Sequence, residues 1–523
     1  MLHQKAFLIL AFSLVVLHLF SQPTSNSPWG DQGNGTYINP ILNADYSDPD
    51  VTRVGDDYYM VCSEFHFMGI PVLHSKDLVN WTIIARVYDE FKFAPEYDSN
   101  DRYASGSWAP SIRFHDNKFW IYFCTPKEGL FVSTADKPEG PWEPLTQVAN
   151  IAGWEDPCPF WDENGQGYLG HSKVGAGPIY IHKLSPDGKK LMDDGAIVYT
   201  GPVAEGTKIH KLNGYYYLSI PEGGVERGWQ TILRSKNIYG PYEKKVVLEK
   251  GSTEINGPHQ GAWIDLPNGD WWFIHFQSVN SIGRVCHLQP MRWKDDWPEI
   301  GVDIDRNGIG EPVYVWKKPN VGKTYSISTP QTSDEFNSAQ LGFQWAWNHN
   351  PVNSEWSLTQ KSGFLQLNAL QAASFLKAKN TLTQKVMGPR GEATTLLLAD
   401  QMKDGQKAGL CLMGKQYNLI GLKKSANKLF VFADINGKST ETPINANKIY
   451  LQVKVTSENG GNQFYYSTDN KKFVPFAEAF SVGSGNWKGP KIGLFSYNEK
   501  ENGGSAAFDW LHYIYEGPQN SLK

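Results

Sequence analysis

At 523 residues the chain is longer than one hydrophobic core usually organises, and two domains are the simplest division. The formal charge is only -5 and the 49 Lys and Arg are scattered, which excludes a nucleic-acid footprint and a polybasic membrane patch and leaves a neutral partner as the expectation. Aromatic residues reach 13%, with 50 Gly and 31 Pro, a composition of short strands and tight turns; such rings pack cores and also suit the C–H face of a sugar.

The chain begins MLHQKAFLILAFSLVVLHLFSQPTS, a short head with Lys5, an apolar run and then small polar residues. This reads as a cleaved secretory signal over residues 1–21, followed by an N-terminal segment at 22–36. The apolar run is short of the ~20 residues of a membrane span. An uncleaved anchor is the alternative, but no membrane anchor is expected, and no cysteine stands near the cleavage region to carry a lipid. The expected location is the periplasm or the medium. The five cysteines are widely spaced, with no C-x-x-C, and read as buried free thiols.

From residue 37 a turn rich in Asp, Asn and Gly followed by an aromatic strand recurs five times: DDYYMV at Asp56, NKFWIYF at Asn117, NGQGYLG at Asn164, NGYYYLS at Asn213 and NGDWWFI at Asn268. Each copy reads as a β-hairpin. The spacing is close to the ~40–50 residues of a four-stranded propeller blade with room for loops, which predicts an all-β, five-bladed propeller over residues 37–318. A β-sandwich of regular hairpins is the alternative, though it needs no such period.

Asp48, Asp156 and Glu205 each lie eight residues before their turn, and Trp108 and His259 lie nine before theirs. If the preceding strand is innermost, the three carboxylates converge on the propeller axis. Crowded like charges raise at least one pKa, which suits acid–base work. Chance phasing of turn-forming Asp-Pro pairs is one rival. Metal binding is the other, although DYSDPDV does not fit an EF-hand loop. Two carboxylates flanking a glycosidic bond are what glycoside hydrolysis needs, with a third to tune the acid.

The ordered segments NPILNADYSDPDVTRVGDDYYMVCSEF, SWAPSI, EDPCPFWDENGQGYL, AEGTKIHKLNGYYYL and GRVCHLQPMRW resemble glycoside hydrolase family 43. The resemblance implies β-xylosidase, α-L-arabinofuranosidase or arabinanase activity with inversion at the anomeric carbon. It makes Asp48 the general base, Glu205 the general acid, and Asp156 the residue that raises and orients the acid. It also implies that Arg284 binds a hydroxyl of the terminal sugar and that Trp108 and Phe65 form pocket walls, with core packing the alternative for both rings. His259 resembles an axial histidine that holds a structural calcium ion through water; the chemistry itself requires no cofactor.

After a linker at 319–333 the repeat stops, and GFLQLNAL, LFVFAD and IYLQVKV alternate apolar and polar residues. Residues 334–523 are expected to form a β-sandwich, and DEFNSAQLGFQWAWNHNP resembles the concanavalin-like domain found behind such propellers. An independent carbohydrate-binding module is the alternative. A rim closed by a second domain favours release of single terminal sugars from an oligosaccharide or polysaccharide. The propeller motifs favour α-L-arabinofuranosyl removal from hemicellulose side chains of arabinoxylan or xyloglucan, with β-D-xylosidase as the alternative and a non-catalytic sugar-binding propeller as the reading from another class.

Overall fold

The computed structural model describes residues 27–518 apart from Asn256 and Asn486; the expected signal at 1–21 lies outside the described residues. Each aromatic hairpin opens a four-stranded antiparallel sheet, and five such sheets follow one another along the chain. Blade 1 runs outward through Asp50–Val54, Asp57–Val61, Pro71–Ser75 and Thr82–Arg86. The inner strands of blades 2 to 5 are Trp108–His115, Trp154–Trp161, Lys208–Leu212 and His259–Asp265.

Local chemistry explains this repeat. Asn213 and Gly214 stand at φ 53° and 77°, the paired left-handed angles that match the twist of a two-residue hairpin. The strand after the turn lies between neighbouring blades and is covered on both faces, which is why Lys118–Thr125 is almost wholly apolar and buried. The ring closes where the chain entering blade 1 pairs with blade 5: Ile41 N–H donates to Cys286 O at 2.8 Å and Cys286 N–H to Leu42 O at 3.1 Å.

The C-terminal part is two packed antiparallel sheets with one short parallel pairing. One holds seven strands, and its centre is formed by Leu365–Asn368, Ser505–Tyr515, Arg390–Leu398 and Lys448–Thr456. The other holds eight, including Leu382–Lys385, Lys491–Asn498, Gln406–Met413 and Tyr417–Ser425. The two domains share core. Glu64, fully buried beside the propeller axis, is 2.7 Å from both Lys385 Nζ and Lys491 Nζ of the sandwich.

The segments expected as tail and linker are built in. Gly30–Asp31 and Thr36–Ile38 form a sheet with Val315–Lys317, and Trp29 Nε1 donates to Glu516 O at 2.8 Å, so the N-terminal segment touches both domains. Ser328 N–H donates to Asn80 Oδ1 at 2.9 Å, pinning the linker to blade 1. All five cysteines are free and buried. Among the described residues no helix is long and apolar enough to cross a membrane.

Candidate active site

The inner strands meet at one end of the propeller around a cavity of about 1220 Å³. Asp48, Phe65, Trp108, Asp156, Glu205, His259 and Arg284 all line it, so every site residue expected from sequence comes to one place. A backbone device aims them. One residue at the mouth of each inner strand is left-handed: Asp48 (φ 55°), Ala109 (36°), Asp156 (57°), Gly206 (61°) and Gln260 (41°). In blades 2, 3 and 5 it sits within a register shift of the first hairpin, and a bulge of this kind re-aims side chains toward the axis.

This corrects the phase argument in one respect. The left-handed residue of blade 4 is Gly206, so Glu205 stands one residue ahead of Asp48 and Asp156 and is equivalent to Trp108, Glu155 and His259. Gly206 suits that position: its N–H donates to Asp156 Oδ2 at 2.7 Å, and a Cβ there would meet the Pro221 ring at 2.7 Å.

Asp48 is buried between two donors. Arg284 Nη1 lies 2.6 Å from Oδ1, and Ser63 Oγ donates to Oδ2 at 2.6 Å. Both are bonds that a carboxylate accepts, and each oxygen keeps a lone pair for water. Asp45 holds Arg284 in place by accepting its backbone N–H at 2.9 Å. Arg284 also lies over Phe276, 4.7 Å from the ring centre. Phe65 and Trp108 meet edge to face at 6.2 Å; a Cβ at Gly106 would overlap Phe65 O at 1.3 Å, so the glycine of SGSWAP is what lets the two segments touch.

On the opposite side, carboxylate oxygens of Glu155, Asp156 and Glu205 lie within 4.8 Å of one another. Burial first, then the charges of Glu205 and Asp48, push Asp156 up to about 7. Burial would raise Glu205 too, but His259 Nε2 stands 2.7 Å from its Oε1. That hydrogen bond and charge, with Arg284 behind them, hold the carboxyl below its ordinary value. His259 thus works against the proton retention expected of Glu205, and within the pair it is Asp156 that the fold pushes up.

For the calcium expected beside His259, Nε2 is already engaged by Glu205, while Nδ1 is buried with no hydrogen-bond partner among the described residues and is the atom left to meet an ion through water. A positive charge is already built into the axis. Lys208 Nζ, fully buried on blade 4, reaches Ser111 Oγ of blade 2 at 2.9 Å and stands 3.9 Å from Asp50 Oδ1 of blade 1. Asp50 is thus an axial residue, and it also accepts from Arg113 Nη1 at 2.6 Å.

Sequence reasoning missed Glu155 and, although it expected a rim closed by the second domain, the sandwich residues that form it. Ser484, Gly485, Trp487 and Lys488 line the cavity, and the Trp487 ring lies 5.9 Å from the Arg284 guanidinium. A loop 200 residues distant from Arg284 has no periodic signal that would announce it. Glu155 was visible beside Asp156, but strand alternation points adjacent residues to opposite faces; only the bulge brings both inward.

Residues 37–298 match the profile described as Glycosyl hydrolases family 43, and residues 333–514 match that of the Beta xylosidase C-terminal Concanavalin A-like domain. A putative beta-xylosidase of Xylanibacter ruminicola is 52% identical over 471 residues, covering 90% of this chain and 88% of its own. A beta-xylosidase of Formosa agariphila is 39% identical across 94% of this chain and 92% of its own. A non-reducing end alpha-L-arabinofuranosidase of Bacteroides ovatus is 32% identical across 64% of this chain and 65% of its own. Among solved structures, a family 43 protein of Bacillus licheniformis superposes with a TM-score of 0.80 at 26% identity, covering 92% of this chain and 99% of that one. The chain is therefore a member of glycoside hydrolase family 43, a five-bladed propeller carrying the family's C-terminal concanavalin-like sandwich.

Proposed function

We propose that this enzyme is an inverting, exo-acting β-D-xylosidase that removes terminal xylosyl residues from neutral oligosaccharides. The observation that carries the reading is the division of one cavity between two kinds of carboxylate: Asp48, bonded to Arg284 and Ser63, and the proton-retaining group of Asp156 and Glu205. Asp48 accepts a proton from a water whose oxygen bonds to the anomeric carbon. The glycosidic C–O bond breaks as Glu205 donates a proton to the leaving oxygen, and solvent exchange resets both groups. Asp156 supplies the cluster with a proton near neutrality and, through Gly206, fixes the backbone beside the acid. Arg284 faces the terminal sugar, and Phe65 and Trp108 give it an apolar wall.

The sandwich loop at the cavity wall supports exo action, since it obstructs passage of a long chain through the site. The sequence motifs leaned toward arabinofuranosyl removal; the names of two relatives at 52% and 39% identity, each spanning most of the chain, support the xylosyl choice instead. Residues 1–21 support export as a further part of the proposal. The test is kcat/KM on nitrophenyl β-D-xyloside and nitrophenyl α-L-arabinofuranoside side by side, with the released anomer read by proton NMR. Preference for the arabinofuranoside restores the alternative, retention rejects the Asp48 role, and inactivity on both favours a sugar-binding propeller.

A further inference from the structure

Glu155 has no part in the chemistry above, yet its side chain lines the same cavity. It precedes Asp156 on the inner strand of blade 3 and is only 5% exposed. The register shift between Glu155 and Cys158 cancels strand alternation, so two consecutive acids emerge on one side.

Its bonding is lopsided. Ala176 N–H at 3.2 Å and Ser172 Oγ at 3.5 Å both donate to Oε1, and among the described residues no lysine or arginine pairs with the group. A buried carboxyl with no counter-cation, whose oxygens lie within 4.8 Å of those of two other acids, is costly to ionise. Burial, then Asp156 and Glu205, push it up to about 9. At neutral pH Oε1 accepts from the protein while the carboxyl keeps an O–H to donate.

Its position says to what. Asp48 and Arg284 come from blades 1 and 5 and face the terminal sugar. Glu155 and Glu205 come from the adjacent blades 3 and 4, and Glu205 must sit at the oxygen that departs. A group this close to the acid meets whatever is attached beyond that oxygen.

Building on the glycosidase reading, we infer that Glu155 recognises the leaving sugar, its carboxyl hydrogen-bonding a hydroxyl on the ring beyond the scissile bond. The enzyme is thereby matched to sugar leaving groups rather than to simple alcohols or phenols.

The test compares xylobiose, whose leaving group carries ring hydroxyls, with methyl β-D-xyloside, which also needs acid assistance but offers no such hydroxyl. In Glu155→Ala the ratio of kcat/KM on xylobiose to that on methyl xyloside is expected to fall about tenfold or more, chiefly through KM, as expected for loss of a buried hydrogen bond. Glu155→Gln keeps a donor and an acceptor and is expected to hold the ratio within about threefold. An unchanged ratio in Glu155→Ala, with both substrates losing together, assigns Glu155 to the acid step or to structure and overturns the proposal. So does a Gln variant as impaired as the Ala variant. Wild-type inactivity on both xylosides refutes the xylosidase reading separately; the same ratio is then measured with arabinobiose and methyl α-L-arabinofuranoside.

Discussion

His259 Nε2 lies 2.7 Å from Glu205 Oε1, with the histidine buried and the carboxyl at the cavity surface. The pairing moves a residue expected to serve an ion into the acid's own environment. It also separates the two neighbouring carboxyls: Glu205 is held down, and Asp156, buried and facing the Glu205 charge, is pushed up.

If Glu205 donates the proton, its loss matters in proportion to how poor the leaving group is. Glu205→Gln is expected to reduce kcat/KM on xylobiose by roughly 10²–10⁴. Dinitrophenyl β-xyloside, which departs without protonation, should lose less than about tenfold. Equal losses on the two substrates would show that Glu205 acts by binding or by holding the cavity together.

The His259 bond yields a pH prediction whose sign is fixed. The bond and its charge lower Glu205 against the upward push of burial, so removing them lets the pKa rise. In His259→Asn the acid then keeps its proton to higher pH, and the alkaline limb of the kcat/KM profile moves up. A limb that stays in place or moves down contradicts the pairing.

Much of this was legible in the sequence because propeller repeats are local: a turn rich in Asp, Asn and Gly and an aromatic strand declare each blade without long-range information. Asp48 and Asp156 shared a phase because the same left-handed residue recurs in each blade. The remainder was hidden for physical reasons. A bulge cancels the alternation that would exclude Glu155. The Glu205 partner depends on two chain segments 54 residues apart meeting across a blade boundary. The axial charge of Lys208 looks in sequence like a solvated lysine in TKIHKL, and only its approach to Ser111 and Asp50 reveals otherwise.

Asp156 connects the site to stability. Its ordinary carboxyl value of 3.8 is raised in the fold to about 7, so the stability present at acidic pH is lost as pH rises from about 4 through 7, where the unfolded chain ionises and the folded one resists. Asp156→Asn removes that penalty and still offers an oxygen to the Gly206 N–H. The variant should be more stable than the wild type at pH 8, by on the order of 2–4 kcal/mol, and equal to it at pH 4, while activity falls. Thermal melts at the two pH values check this; a gain of the same size at both would point to packing rather than charge.

The last prediction concerns why the sandwich is there. Glu64 is adjacent to Ser63, which donates to Asp48, and to Phe65, which walls the cavity; its carboxylate meets Lys385 and Lys491 of the other domain, each at 2.7 Å. Burial pushes Glu64 up, but the two ammoniums and Arg86 outweigh it and hold the group at about 2, so it is a carboxylate throughout the working range. Burial already pushes Lys491 down to about 7, so replacing Glu64 with Gln leaves Lys385 without its counter-charge and removes the partner that raises Lys491, a loss of roughly 3–5 kcal/mol for a broken buried pair. Because the segment after strand Asp57–Val61 that carries Glu64 also carries Ser63, the support of the base, kcat should fall along with the unfolding midpoint. Residues 27–325 produced alone would carry Glu64 with neither lysine and are expected to be inactive. A soluble, fully active fragment would show that the base is positioned by the propeller alone and that the sandwich is an appended binding module.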